Sequence, residues 1–390
     1  MKRAAPTTAR TTSSTAKKTV VSPSLTKNKK MMIPIRMVEF FSGIGGMRAA
    51  VESVLSDADD NLVSCAAFEI SEKANSVYRH NFPDNEKPST TSTSGSFRVR
   101  TKLVEQLKVQ DIPESNLWTM SPPCQPFTRT RMAKSLDLED KRCAGFMAIM
   151  KMLKAIPEHD RPTWILLENV EGFAGSQAHK LFYDTLLECG YSWMDGMLSP
   201  IEMGVPNHRK RYYALCEKSD RFFPRDQASS DSTPSGNDSL KVCLQLQDIP
   251  VRNLSTFVSH DIDCHDLLIP ESVFSKEWAK ELPIVSHLDA HSHCFTGAYS
   301  RQLHRSTGSL LLMEPDRKES IKNCPIDRSN MMHYCGKLRR FSIHELLKLF
   351  GFPGSFSFPK DVDLNYKYKL IGNSVNVSVV KELVRHLLGR

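Results

Sequence analysis

The chain has 390 residues, enough to bury a large core in one large domain or two. Its formal charge of +8 is uneven: nine Lys or Arg and no acid fall within residues 1–36, and subtracting them leaves the rest near −1, so nucleic-acid binding must come from local patches. Ten cysteines without a C-x-x-C pair, no secretory leader, and no apolar run near the ~20 residues of a membrane helix exclude a disulfide scaffold and a membrane-spanning helix, and point to a reduced chain in the cytoplasm or nucleus.

Residues 1–32 are Ser, Thr, Ala, Lys and Arg with little to bury, the composition of a disordered basic tail. An organellar transit peptide shares that composition, but no amphipathic face is visible. Ile33 to Phe41 reads as an apolar strand, followed by Ser42-Gly43-Ile44-Gly45-Gly46 and a helix from Met47 to Leu55. Strand, glycine turn and helix form the first unit of a Rossmann-like α/β fold; taken alone, the turn is equally a plain tight turn. A second strand, Val63 to Phe68, ends in Glu69-Ile70 before a helix from Ser71 to His80. An acid in that place accepts hydrogen bonds from ribose hydroxyls. Residues 84–100 read as a polar loop.

Leu117 to Met120 reads as a short buried strand stopped by Pro122 and Pro123, which stiffen a loop carrying Cys124. In a parallel sheet that edge is where ligands bind, so the thiol is a candidate nucleophile; a buried structural cysteine is the plainer alternative. Arg129, Arg131, Lys134, Lys141 and Arg142 follow as a basic segment. The strand that starts Trp164-Ile165-Leu166-Leu167 ends in Glu168-Asn169-Val170, which puts an acid on the edge that carries Cys124. Further strands are expected at Met194–Leu198 and Arg211–Cys216, the second preceded by Asn207-His208-Arg209-Lys210.

Residues 217–240 read as a linker, and 241–335 lack βα alternation, as a smaller separate domain would. Within it, His291, His293 and Cys294 have no second ligand pair spaced to complete a tetrahedral site, so no metal is expected. The stretch 336–390 returns to α/β character. Ser342 and Glu345 form a capping box for a helix to Phe350, and Leu370 to Asn376 precede a helix over Val377–Leu388, which Asn373 and Ser374 are placed to cap.

Phe41-Ser42-Gly43-Ile44-Gly45-Gly46, Glu69, Pro122-Pro123-Cys124-Gln125, Glu168-Asn169-Val170, Asn207-His208-Arg209-Lys210-Arg211 and Gly372-Asn373-Ser374-Val375 together resemble the cytosine-5 methyltransferases that use S-adenosylmethionine. They stand in the family's order. The resemblance is strongest to small eukaryotic members that methylate tRNA, through Ser121 to Arg129 and Cys294-Phe295-Thr296. It implies a Rossmann-like methyltransferase sheet with helices on both faces and a variable target-recognition domain. Residues 33–216 would then be the catalytic domain, completed by 336–390.

For the cofactor the resemblance implies Phe41, Ser42, Gly43, Ile44, Gly45, Gly46, Glu69, Ile70, Pro122, Asn373, Ser374 and Val375, with Val104 from a blurred third motif. For catalysis it implies Cys124, Glu168, Arg209 and Arg211, and for the target Arg129, Cys294, Phe295 and Thr296; Arg339 and Arg340, by their charge, are expected to grip the phosphates beside the target loop. The chemistry agrees independently. C5 of cytosine is a poor nucleophile until a thiolate adds at C6, which needs a cysteine of depressed pKa in an electropositive site and an acid at the N3 and N4 edge. The implied substrate is cytosine 38 in the anticodon loop of tRNA-Asp, acted on by a monomer. A DNA cytosine-5 methyltransferase is the runner-up, and a silent nucleic-acid-binding homologue the third reading.

Overall fold

Along β1 (Ile35–Phe40) successive side chains point to opposite faces, and both sets are buried. Ile35 and Met37 enter one apolar core; Val38 and Phe40 enter another. A strand apolar on both sides belongs inside a sheet covered on both faces. The computed structural model describes residues 1, 33–83, 97–127, 137–218, 239–246, 249–259, 264–313 and 326–390. Pro34–Arg390 form one unit. In it β1, β2 (Leu62–Glu69), β3 (Phe97–Thr101), β4 (Leu117–Met120), β5 (Trp164–Val170), β6 (Ser192–Leu198) and β7 (Arg211–Glu217) form one sheet, in the order β3-β2-β1-β4-β5-β7-β6. Strands β1 to β5 are parallel and β7 is antiparallel to both of its neighbours.

The main helices are α1 (Gly46–Asp57), α2 (Glu72–Asn81), α3 (Ala144–Ala155), α4 (Gln177–Glu188), α5 (Ile343–Leu349), α6 (Leu364–Asn373) and α7 (Val377–Leu388). Helices α1, α2 and α7 pack their apolar sides into the first core, and α3 and α4 into the second. The expected Rossmann-like sheet, with helices on both faces, is therefore present. The chain leaves β1 for β2 on one side and later returns to β4 on the other. That reversal opens a crevice at the carboxyl ends of β1 and β4, where α/β sheets bind ligands.

Two local expectations need correcting. The loop expected over 84–100 ends in β3, an edge strand in which Val99 stands between Arg98 and Arg100. Glu168-Asn169-Val170 closes its strand as expected, at the end of β5. Gly372 and Asn373 close helix α6, so Asn376, not Asn373 or Ser374, caps α7, its side chain accepting from the Val379 amide at 3.2 Å. The capping box at Ser342 is present: its Oγ accepts from Glu345 N at 3.2 Å, and the Glu345 carboxylate accepts from Ser342 N at 2.7 Å.

A second sheet of β8 (Ile284–Val285), β9 (Leu310–Leu312) and β10 (Leu338–Arg339) has its own apolar cluster, including Phe274, Leu282 and Tyr334. Its last strand pairs Arg339 with Leu311, which carries this sheet past residue 335. The basic segment 2–32, Arg129 and the greater part of the 217–240 linker lie outside the described residues.

Candidate active site

Ser121 to Cys124 leave β4 without regular structure, and a single turn, Gln125–Phe127, follows. Two bonds fix this loop. Ser121 Oγ donates to the Phe41 carbonyl at 3.3 Å, and Asn169 Nδ2 donates to the Pro122 carbonyl at 3.4 Å. The thiol-bearing loop is thus held between the glycine turn after β1 and the end of β5. Cys124 is half-buried there.

Glu168 is buried at the end of β5, and Arg211 Nε lies 3.5 Å from its Oε1. Val170 pairs with Arg211 across the two strands, so Glu168 is the diagonal neighbour on the same face. Burial raises the Glu168 pKa, and Arg211 and Arg209 offset part of that rise. Burial and then the Glu168 charge push the Cys124 thiol up, and the two arginines only partly pull it back. The depressed thiol pKa expected from the chemistry is not the resting state of Cys124, because burial and then the nearby Glu168 charge outweigh the two arginines. The lowered thiol is Cys294: burial acts upward on it, but Arg209 and Arg211 outweigh burial, with Arg209 Nη1 at 3.6 Å and Arg211 Nη2 at 3.8 Å from its sulfur.

Arg209 is not placed as expected. Its guanidinium donates to the carbonyls of Phe295 at 2.9 Å, Gly372 at 3.2 Å and Ser374 at 2.6 Å, so it ties chain segments together instead of reaching a base or phosphate. Phe295 is likewise corrected: its ring is buried against Tyr299 and Phe341, and only its carbonyl serves the site. Arg339 is corrected as well. It is 4 % exposed and forms a two-pronged pair with fully buried Glu345, at 2.7 and 2.8 Å, so it cannot grip a phosphate. Arg340 is partly exposed. Thr296 is half-buried, its backbone tied to Thr307. A Cβ on Gly372 would fall 2.2 Å from the Thr296 carbonyl carbon, so the backbone of α6 touches the 294–297 loop directly.

The cradle beside this site fits S-adenosylmethionine. The Glu69 carboxylate accepts from Gly43 N at 3.1 Å and Ser71 N at 2.8 Å, one bond per oxygen, which leaves lone pairs for the two hydroxyls of a ribose. Ile70 beside it is 57 % exposed, an apolar face open to an adenine. Ser42 Oγ is buried without a partner, and α1 starts with no side-chain cap. Phe41 holds the left-handed region at φ 56°, uncommon for a bulky residue, and its ring rests on Gly145 of α3. Val104 packs beside Gly145 from the turn after β3. A Cβ on Gly46 would meet Ser374 Oγ and Val375 at 2.8 Å, so the start of α1 is closed by the segment after α6. Ile44 turns into the core, so only its backbone faces this cradle.

Beneath the turn lies a group not anticipated as functional. Glu39 in β1 is 1 % exposed and accepts from the Tyr78 hydroxyl at 2.9 Å, with Arg48 nearby. Burial drives its pKa up to about 8 against the opposing pull of Tyr78 and Arg48. The signal available in the sequence was an acid between the apolar Val38 and Phe40 of β1. Asn207 is a second such residue: it is fully buried and donates to Ser292 Oγ at 3.1 Å and to the His293 carbonyl at 2.9 Å, locking the loop before β7 to the 292–295 segment.

Residues 35–389 match the family described as C-5 cytosine-specific DNA methylase. The chain belongs to that family. A tRNA (cytosine(38)-C(5))-methyltransferase of Spodoptera frugiperda is 33% identical over 90% of this chain and 98% of its own length. One of Schizosaccharomyces pombe is 32% identical over 91% and 97%. A DNA (cytosine-5)-methyltransferase of Dictyostelium discoideum is 30% identical over 92% and 95%. Among solved structures, an Entamoeba histolytica methyltransferase aligns with a TM-score of 0.74 at 26% identity, covering 92% of this chain and 99% of that one. The C-5 cytosine methyltransferase family uses S-adenosylmethionine, and this chain is accordingly a cytosine-5 methyltransferase with that methyl donor.

Proposed function

We propose that this methyltransferase acts on cytosine C5 in tRNA, at position 38 of the anticodon loop. The observation that carries the chemistry is Cys124 sharing one pocket with the Glu168–Arg211 pair at the crevice between β1 and β4. The tRNA assignment draws on the relatives from insect and fission yeast named for that reaction.

In this reading Cys124 gives its thiol proton to solvent and its thiolate forms a bond to C6 of the base, while Glu168 in its protonated form donates to N3 as negative charge builds on the ring. Arg211 orients Glu168 and stays charged through the step. S-adenosylmethionine, when bound, supplies an electrophilic methyl group to the activated C5. Transfer of the C5 proton to a solvent base then expels Cys124 as thiolate and restores the aromatic ring, with Glu168 taking back the N3 proton. Glu69, Ile70 and the backbone of the glycine turn would hold the ribose and adenine. The base must leave its stack, which costs least in a single-stranded loop.

Transfer of a labelled methyl group to tRNA and to duplex DNA, at equal concentrations, tests the reading. The expected result is label in tRNA and little in DNA, with bisulfite sequencing placing it at one loop cytosine. The relative named a DNA methyltransferase supports a second reading, in which the preference is reversed.

A further inference from the structure

Away from Cys124, the smaller sheet carries an open pocket of about 720 Å³, within the ~300–1,000 Å³ usual for ligand sites. Trp278, Arg301, His304, Arg305 and Arg340 contribute to its lining, and Glu281 is its one carboxylate. Trp278 is 49 % exposed, whereas Trp118, Trp164 and Trp193, the other tryptophans, are buried. Among the four tryptophans only Trp278 faces solvent. Among the described residues the side chains of Arg301, Arg305 and Arg340 make no hydrogen bond or ion pair, and Arg340 Nε is buried without an acceptor. Three unpaired guanidinium groups around an aromatic face, against one carboxylate, suit an anion attached to a flat ring.

The pocket is joined to the active site through the chain itself. Arg301 follows Cys294-Phe295-Thr296 by five residues, and its backbone N–H bonds to the Ala298 carbonyl at 2.9 Å. Tyr299, between them, packs on Phe295, whose carbonyl holds Arg209. Its hydroxyl accepts from the Phe341 amide, one residue beyond Arg340, at 2.9 Å.

We propose that this pocket takes a second, unstacked nucleotide of the RNA, its base on Trp278 and its phosphates on Arg301, Arg305 and Arg340, while the target cytosine occupies the Cys124 site. Bases stack on aromatic side chains whatever their identity, and Arg guanidinium forks match phosphate oxygens. A nucleotide also uses the indole face, which an acidic peptide would not need. The inference rests on the RNA reading above and specifies which part of the RNA the smaller sheet grips.

The test follows Trp278 emission in the full-length protein titrated with a short single-stranded RNA, beside Trp278→Phe. Quenching that saturates with binding and vanishes in Trp278→Phe is expected. In methyl transfer to tRNA, Trp278→Ala should raise KM about tenfold with kcat held, the low end of what one base–aromatic stack contributes. Arg301→Ala with Arg305→Ala should flatten the salt dependence of RNA binding by about two ions. RNA bound with Trp278 emission unchanged overturns the proposal, and so does quenching by polyglutamate but not by RNA, which would assign the pocket to an acidic protein. If tRNA accepts no methyl group, the tRNA reading fails by itself, and emission titrations with single-stranded RNA and DNA still decide the pocket.

Discussion

Arg211 and Glu168 face each other at 3.5 Å across neighbouring antiparallel strands, and the pair sets the resting charge of the pocket that holds Cys124. Burial and the Glu168 carboxylate together keep the thiol protonated. Thiolate formation is therefore coupled to neutralisation of Glu168, which happens when the acid takes a proton or meets the N3 edge of a base. In the proposed reaction, Cys124 would gain reactivity only as the substrate base neutralises Glu168.

Glu168→Gln should cut kcat about 10²- to 10⁴-fold, the scale of a lost general acid. It also removes a charge that raises the Cys124 pKa. With thiolate as the reactive form, the rate rises with pH through the thiol pKa, so in the variant the rising limb of kcat/KM should move to lower pH. A limb that stays in place would show that the two groups do not communicate.

Cys124→Ala should leave cofactor binding near wild type by calorimetry and reduce methyl transfer below about a hundredth. Cys294 carries the lower thiol pKa, so the same measurement on Cys294→Ala decides which sulfur forms the adduct. Denaturation-resistant complexes with RNA containing 5-fluorocytosine should form in Cys294→Ala and be absent in Cys124→Ala.

Arg339→Ala should act on stability, not on KM. It strands Glu345, which is fully buried, and breaking such a pair costs about 3–5 kcal/mol. Burial pushes the Glu345 pKa up, but the bonds from Arg339 and from the Ser259 and Ser342 amides outweigh it and leave the pKa lowered. Its contribution is therefore complete above the unfolded value of about 4.3 and lost as pH falls through the folded pKa. Thermal unfolding should show a loss of Tm below about pH 4.3 that is smaller in Glu345→Gln. A KM for tRNA raised in Arg339→Ala at unchanged Tm would return this residue to the substrate.

Glu39→Gln tests the buried acid under the glycine turn. Its folded pKa of about 8 lies above the unfolded ~4.3, so folding binds a proton and stability falls as pH rises between the two values. Removing the charge should raise Tm at pH 8 relative to wild type and change it little at pH 5. A variant less stable at both pH values would show that the Tyr78 bond matters more than the charge.

The sheet was legible because its strands are apolar on both sides, and Cys124, Glu168 and Glu69 because each stands at a strand end in a fold that binds ligands there. The β3 strand was hidden by its arginines: an edge strand needs only alternate apolar residues, and five residues are too few to show a period. Arg209 and Arg339 were misread for a different reason. Sequence reports that a residue is a cation, but whether it meets a phosphate or a buried carbonyl depends on contacts 86 or more residues away for Arg209, and only six for Arg339. The short separation of Arg339 from Glu345 was readable as an ion pair.

The closure of α1 by Ser374 and Val375 has a consequence for biosynthesis. The glycine turn leaves the ribosome more than 300 residues before the segment that walls it in and the α7 helix packed on the same core. In that interval the nascent chain displays the apolar flank of β1 and α1 uncovered, a surface suited to chaperone capture. A premature stop between Glu168 and Leu364 would leave Cys124 and Glu168 translated but the methyl-donor cradle missing a wall, so even such late nonsense alleles should behave as null.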